Sequence, residues 1–317
     1  MRRLGKSDIF VAPLALGCNV FGWTIDEKTS FTILDAFIDH GLNLIDTANI
    51  YSTWVPGNKG GESETIIGKW LKKSGRRNQV VLATKVGMEM ANAKGLKPTL
   101  IRQCLEDSLK RLQTDRIDLY QAHKDDNETP LEETLEAFDQ LIRSGKVRVI
   151  GASNYEANRL EQALSISEKN HYFSYISLQP YYNLYDRERF ECTLEPLCIK
   201  SGLGVLSYFS LAQGFLTGKY RSAVDLSKSQ RGSSIERYLD TRGFTILDAL
   251  DTIAKQHLVS PGVVALAWLI QRKSITAPIA SVTNVSQLDE LAKSTQLHLS
   301  EKEVKALNVA SAYTASI

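Results

Sequence analysis

Short apolar runs of β type alternate along the chain with longer segments whose apolar residues recur every three or four positions. The β-type runs fall at 13–16, 42–46, 79–84, 116–121, 147–152, 175–179, 203–208 and 276–280. Between them, Phe31, Leu34 and Ile38 share one helical face, and Gly41 supplies a stop. Ile101, Leu105, Leu109 and Leu112 share a second, with Thr99 as a candidate N-cap; Leu131, Leu135, Phe138 and Ile142 share a third, which ends before Gly145. Parallel strands need a crossover segment between them, so strand–helix alternation predicts a parallel sheet. Eight repeats predict an α/β fold of the (β/α)8 TIM-barrel type, a single domain over residues 1–317. The first ten residues precede the first unit and suit a hairpin closing the barrel bottom. A doubly wound sheet is the structural alternative, but no G-x-G-x-x-G follows the first strand. The one long irregular stretch, 209–242, is polar and rich in Ser and Gly, as functional or mobile loops are.

Barrel chemistry sits where the strands end. The second run ends in "LIDTANIYS" and delivers Asp46 and Tyr51; the third ends in "VVLATK" with Lys85; the fourth ends in "DLYQAH" with His123. A lone Asp or Lys at a strand end is usually a cap or an ion-pair partner, so the coincidence over consecutive strands carries the argument. A phenol has an unperturbed pKa near ~10, and a neighbouring ammonium favours its ionised form. A buried Lys keeps its charge only beside a carboxylate. The reading is that Asp46 keeps Lys85 charged, Lys85 makes Tyr51 a usable acid, and His123 orients a substrate oxygen. Such a group suits carbonyl reduction, with Tyr51 as proton donor. Trp23 and Trp54 lie in loops on the same side and are candidates for a pocket lining apolar substrates. Trp70 and Trp268 fall on helical faces and read as core.

Composition narrows the classes further. The chain is 43% hydrophobic and 23% charged with a net charge of +2, which is globular and gives no support to a nucleic-acid partner. Four cysteines form no C-x-x-C pair and five histidines lack metal-ligand spacing, so no metal is expected. The basic start followed by an apolar run mimics a signal peptide, but the run is short and contains Pro13. No segment approaches the ~20 apolar residues that span a bilayer. A cytoplasmic protein with no membrane partner is the expectation; the pattern is silent on oligomeric state.

The motifs "LIDTANIYS", "ATKVG", "DLYQAH", "GASN", "LQPYYNL", "LAQGFLTGKY" and "PIASVTNVSQLDE" together resemble the aldo-keto reductase family, end to end. The resemblance is to bacterial members akin to channel β-subunits. It implies a (β/α)8 barrel that binds NADP(H) without a glycine fingerprint, a small carbonyl substrate, and a tetrad of Asp46, Tyr51, Lys85 and His123. It further implies that Ser153, Asn154 and Gln179 hold the nicotinamide carboxamide and that Tyr208 stacks on the ring. Ser210, Leu211, Gln213 and Lys219 would follow the pyrophosphate, joined by Arg231 from the long loop. Ser281, Thr283, Gln287 and Glu290 would hold the adenosine end.

Two departures bear on the cofactor. Ser281 stands where many relatives have Gly, and no Arg or Lys lies between Lys273 and Lys293, where relatives carry a basic residue. Leu291 replaces a common Asn. NADP(H) is favoured and NAD(H) stays open. The rival readings are a cofactor-binding regulatory subunit and a Schiff-base enzyme using Lys85. Regulatory channel subunits have Asn in place of His123 and an N-terminal extension not expected here. Schiff-base chemistry needs a neutral Lys85.

Overall fold

The computed structural model describes residues 1–90, 94–228 and 232–313. A hairpin comes first: β1 (Arg2–Arg3) pairs antiparallel with β2 (Phe10–Val11). Eight parallel strands follow: β3 (Ala15–Gly17), β4 (Leu44–Asp46), β5 (Val81–Val86), β6 (Ile117–Ala122), β7 (Val147–Ser153), β8 (Tyr175–Gln179), β9 (Gly204–Val205) and β10 (Ile279–Ala280). Their spatial order is β10-β3-β4-β5-β6-β7-β8-β9. The two ends of that sheet meet. Val205 bridges Ile275 in parallel sense, Thr276 N donates to Val205 O at 2.8 Å, and Ile279 N donates to Ser207 O at 2.8 Å. The sheet therefore closes on itself as a (β/α)8 barrel, as the eightfold alternation predicts. Regular pairing in β9 and β10 is shorter than the apolar runs at 203–208 and 276–280, because closure is made by single bridges instead of a full ladder.

Helices α1 (Glu27–Asp39), α2 (Glu62–Ser74), α3 (Pro98–Leu112), α4 (Leu131–Arg143), α5 (Ala157–Asn170) and α6 (Glu195–Ser201) wrap the barrel. Behind the long loop come α7 (Thr241–His257), α8 (Pro261–Gln271), α9 (Val285–Ala292) and α10 (Glu301–Ala310). The expected face of α3 holds, with Ile101, Leu105, Leu109 and Leu112 all buried, and so are Trp70 and Trp268; in α1 the buried face is Ile33, Leu34 and Phe37, with Phe31 and Ile38 only partly buried beside it. Gly41 and Gly145 adopt φ of 74° and 76° just past α1 and α4, the left-handed stop that glycine permits. Thr99 is not the cap of α3: the helix opens at Pro98, whose fixed φ and missing N–H suit a first turn. Among the described residues no single helix is long and apolar enough to cross a membrane.

A second apolar cluster fills the barrel itself. Leu4, Ile9 and Val11 of the hairpin pack with Leu44 and Val81, which open their strands, and with Leu119, Leu206 and Ala277. The hairpin thus plugs the N-terminal mouth and leaves the C-terminal mouth open. Gly5 lies at the seat of this plug with φ 55°, and a Cβ there would run into the carbonyl oxygen of Ile176. Gly5→Ala is therefore expected to cost about 1–3 kcal/mol of stability through strain and overpacking. Chemical denaturation checks it: an unchanged midpoint would show that the hairpin does not need this close seat.

Candidate active site

The ends of β4, β5 and β6 stand side by side, so Asp46, Lys85 and His123 converge from adjacent strands. Tyr51 joins them from the turn after β4. Lys85 and Asp46 are 0% and 1% exposed. The Lys85 Nζ donates to Asp46 Oδ2 at 2.7 Å, Thr47 O at 2.8 Å and Tyr51 Oη at 2.9 Å. Three acceptors match the three N–H bonds of an ammonium. Asp46 also accepts at Oδ1 from Gln179 Nε2 at 2.9 Å and from Gln121 Nε2 at 3.3 Å. Tyr51 Oη lies 3.4 Å from Asp46 Oδ2.

One part of the expected electrostatics differs. Burial pushes the Tyr51 phenol well above its usual range, and the Asp46 charge adds to that. Burial also lowers Lys85, while Asp46 holds it up. The net direction is opposite to the one expected from Lys85 alone, because burial of the ring and the Asp46 anion both favour the neutral phenol. The phenol is protonated at rest, with the Lys85 ammonium 2.9 Å from its oxygen. His123 is driven well below its usual value by burial and then by Lys85. Its imidazole is neutral at physiological pH, lies edge-on to Tyr51 at 6.1 Å, and its buried Nδ1 has no hydrogen-bond partner among the described residues.

A cavity of about 830 Å³ opens above this cluster. Asp46, Tyr51 and His123 line it, and Lys85 lies behind them. Trp54 lines it as well; Trp23 does not, and instead supports Trp54 edge-on at 5.5 Å. Ser153, Asn154, Gln179 and Tyr208 form its middle. Ser153 Oγ donates to Gln179 O at 2.9 Å. Asn154 Nδ2 donates to His123 O at 2.9 Å, and Tyr208 Oη donates to Asn154 Oδ1 at 2.6 Å. These bonds fix the Tyr208 ring, which Tyr181 and Phe209 also support at 5.3 Å each.

Ser210, Leu211, Gln213 and Lys219 line the wall made by the long loop, and Ser281, Thr283, Gln287 and Glu290 line the far end with Leu291. Arg231 lies outside the described residues. At the far end Ser281 Oγ donates to Asn19 Oδ1 at 2.7 Å, and Gln287 Oε1 accepts from Thr283 N at 2.9 Å. Glu290 accepts from Ser260 N at 2.8 Å and from Lys293 at 2.5 Å. The pattern missed Gly17, Asn19, Met88, Thr217, Ser260 and Gly262 as lining residues. Asn19 had a readable signal, a polar residue just past the first strand. Ser260 and Gly262 had none, since only the fold brings the start of α8 to the cavity.

Backbone strain marks the same place. Of the non-glycine residues with positive φ among those described, Gln113, His171 and Leu258 cap helices. Of the others, Asn154, Phe209 and Gln213 line the cavity, and Ser52 and Ala212 are chain neighbours of the lining residues Tyr51 and Leu211. Strained backbone kept by its surroundings is common at ligand sites. The long loop is not a loose excursion, for Phe215, Leu216, Tyr220, Ile235 and Tyr238 are fully buried within it.

The lining suits an elongated ligand with an anionic middle. Lys219 and the N-terminal ends of α8 and α9 face the cavity, and helix N-termini favour phosphate. Near the tetrad the polar groups are uncharged or paired, and Tyr208 is positioned to stack a flat ring. A nicotinamide dinucleotide has this layout, so the residues present fit it.

Comparison with known proteins extends the picture to the whole chain. Residues 13–312 match the model of the aldo/keto reductase family. The chain is 38% identical to the uncharacterised oxidoreductase YrpG of Bacillus subtilis (strain 168), over 96% of this chain and 94% of that protein. It is 33% identical to the aldo-keto reductase YhdN of the same organism, over 95% and 89% of the two chains. It is 32% identical to the protein tas of Escherichia coli (strain K12), over 99% of each. A match of this length and level, on a closed parallel barrel, means that the chain belongs to the aldo/keto reductase family, NAD(P)H-dependent oxidoreductases that reduce carbonyl compounds.

Proposed function

We propose that this protein reduces aldehydes or ketones to alcohols with NADP(H), and that Tyr51 is the proton donor. The observation that carries the reading is the Lys85 ammonium bonded at once to Asp46 and to Tyr51 beneath the cavity. When bound, the reduced nicotinamide supplies the hydride to the carbonyl carbon. Tyr51 gives its proton to the carbonyl oxygen. Lys85, already 2.9 Å from the phenol oxygen, stabilises the phenolate left behind. Asp46 keeps Lys85 charged where burial alone favours its neutral form. His123 faces the same space as a neutral imidazole and orients the substrate oxygen by a hydrogen bond. Ser153, Asn154, Gln179 and Tyr208 hold the nicotinamide; Ser210, Leu211, Gln213 and Lys219 hold the pyrophosphate; Ser281, Thr283, Gln287 and Glu290 hold the adenosine. Trp54, backed by Trp23, and Met88 offer apolar walls, which favour substrates with apolar or aromatic bodies.

One feature favours NAD(H) as a second reading. Lys219 is the sole Lys or Arg among the described lining residues, and Glu290 brings a carboxylate to the far end. A 2′-phosphate would then rely on Thr283 and Gln287, which line the far end, and on Arg231. Arg231→Ala is expected to weaken NADPH binding about tenfold or more while moving NADH little, the loss of one charge-assisted contact. Equal losses for both cofactors, read by titration calorimetry, would remove that contact.

Tyr51→Phe is expected to lower carbonyl reduction by about 10²–10⁴, the range of a lost general acid, with cofactor affinity retained. Turnover within about tenfold of the wild type would take the donor role away from Tyr51. The pH dependence has a definite sign. His123 is neutral above its lowered value and Tyr51 is protonated below its raised one, so reduction is expected to be flat from about pH 6 to 8. Alcohol oxidation needs the phenol deprotonated and is expected to rise with pH. A reduction profile with a step near the usual histidine value, absent in His123→Asn, would show instead that an imidazolium takes part.

A further inference from the structure

Gln121 has no part in the tetrad, yet it is fully buried in β6 and touches both halves of the site. Its Nε2 donates to Asp46 Oδ1 at 3.3 Å, and its Oε1 accepts from Gln179 Nε2 at 3.3 Å. Gln179 Nε2 also donates to Asp46 Oδ1, at 2.9 Å. Asp46, Gln121 and Gln179 thus close a triangle from β4, β6 and β8.

The triangle settles which way the Gln179 amide points. A carboxylate only accepts hydrogen bonds, so the atom of Gln179 facing Asp46 is its NH2 group. That group has two N–H bonds. One goes to Asp46 and the other to Gln121, and none is left for the cavity. Gln179 lines the cavity, and its remaining polar side-chain atom is the carbonyl oxygen Oε1. No bond from the protein occupies that oxygen among the described hydrogen bonds.

We propose that Gln121 is a positioning residue: with Asp46 it holds the Gln179 amide at two points, so that the cavity meets an acceptor aimed at a primary carboxamide N–H. The inference rests on the reading that Gln179 faces the nicotinamide carboxamide. Two anchors define the plane of an amide, whereas one leaves it free to pivot. Removing Gln121 keeps the Asp46 anchor and loosens the aim of the carbonyl. Gln121 also gives Asp46 a second donor on the oxygen away from Lys85, which ties the amide's orientation to the carboxylate that steadies the ammonium.

The test compares dissociation constants, read by quenching of protein fluorescence, for the reduced cofactor and for its 3-acetylpyridine analogue. The analogue keeps the carbonyl but has a methyl in place of the NH2. The wild type is expected to bind the natural form about tenfold more tightly, the effect of one buried hydrogen bond. In Gln121→Met that preference is expected to fall to about threefold or less, while the thermal midpoint reports folding. Gln121→Leu serves in its place if the methionine variant does not fold. In Tyr51→Phe the preference is expected to stay as in the wild type. An undiminished preference in the Gln121 variants would overturn the positioning role while leaving Gln179 as the acceptor. No preference in the wild type would overturn both.

Discussion

The structure depends on one buried ion pair. Lys85 and Asp46 are both out of water, and each would be costly alone: breaking such a pair by removing one partner typically costs about 3–5 kcal/mol. The pair persists because every polar valence has a partner. Lys85 spends its three N–H bonds on Asp46, Thr47 and Tyr51, and Asp46 collects two amide donors on its other oxygen. A single unsatisfied group here would favour proton transfer from the ammonium to the carboxylate and leave Tyr51 beside a neutral amine. The barrel meets this demand through register. Strands β4, β5 and β6 are neighbours in the closed sheet, and each contributes one member at or near its C-terminal end.

Around that pair the molecule divides its rigidity. The N-terminal mouth is closed by apolar packing of the hairpin, which holds the strands without touching the chemistry. The C-terminal mouth carries the strained backbone and the long loop. That loop is anchored by aromatic contacts: Phe215 stacks on Tyr238, and Tyr238 meets Tyr181 through their hydroxyls at 2.5 Å. Tyr238 also donates to Asp186 at 3.0 Å. A wall built this way brings Gln213 and Lys219 to the cavity at fixed positions while its outer turns face solvent.

Much of this is legible in the sequence itself. The strands are buried on both faces, so they read as continuous apolar runs, and their spacing reveals the eightfold repeat. Asp46, Lys85 and His123 were visible because a polar residue at the end of an apolar strand stands out. Gln121 was not, although it lies two residues before His123: inside a strand it reads as filler, and its role comes from Asp46 and Gln179, which are distant in sequence. The direction of the Tyr51 shift was misread for a related reason. Charges can be counted in a sequence, but the desolvation that outweighs them depends on packing. Trp23 meets Trp54 edge-on and does not itself line the cavity, a division of roles that two tryptophans in neighbouring loops do not announce in the sequence.

The electrostatics of the cavity are graded along its length. At the tetrad the resting charges cancel: Lys85 is balanced by Asp46, His123 is neutral and Tyr51 is protonated. That end can admit an uncharged carbonyl without displacing a counter-ion. On the reading proposed above, negative charge appears on the substrate oxygen only as the reaction proceeds, and among the described residues Lys85 is the cation bonded to Tyr51 that answers it. Toward the long loop Lys219 and the starts of α8 and α9 bring positive charge to the wall, and the Glu290 carboxylate offsets part of it at Ser260 N. An anionic ligand held at that wall would leave the Lys85–Asp46 balance beside Tyr51 undisturbed.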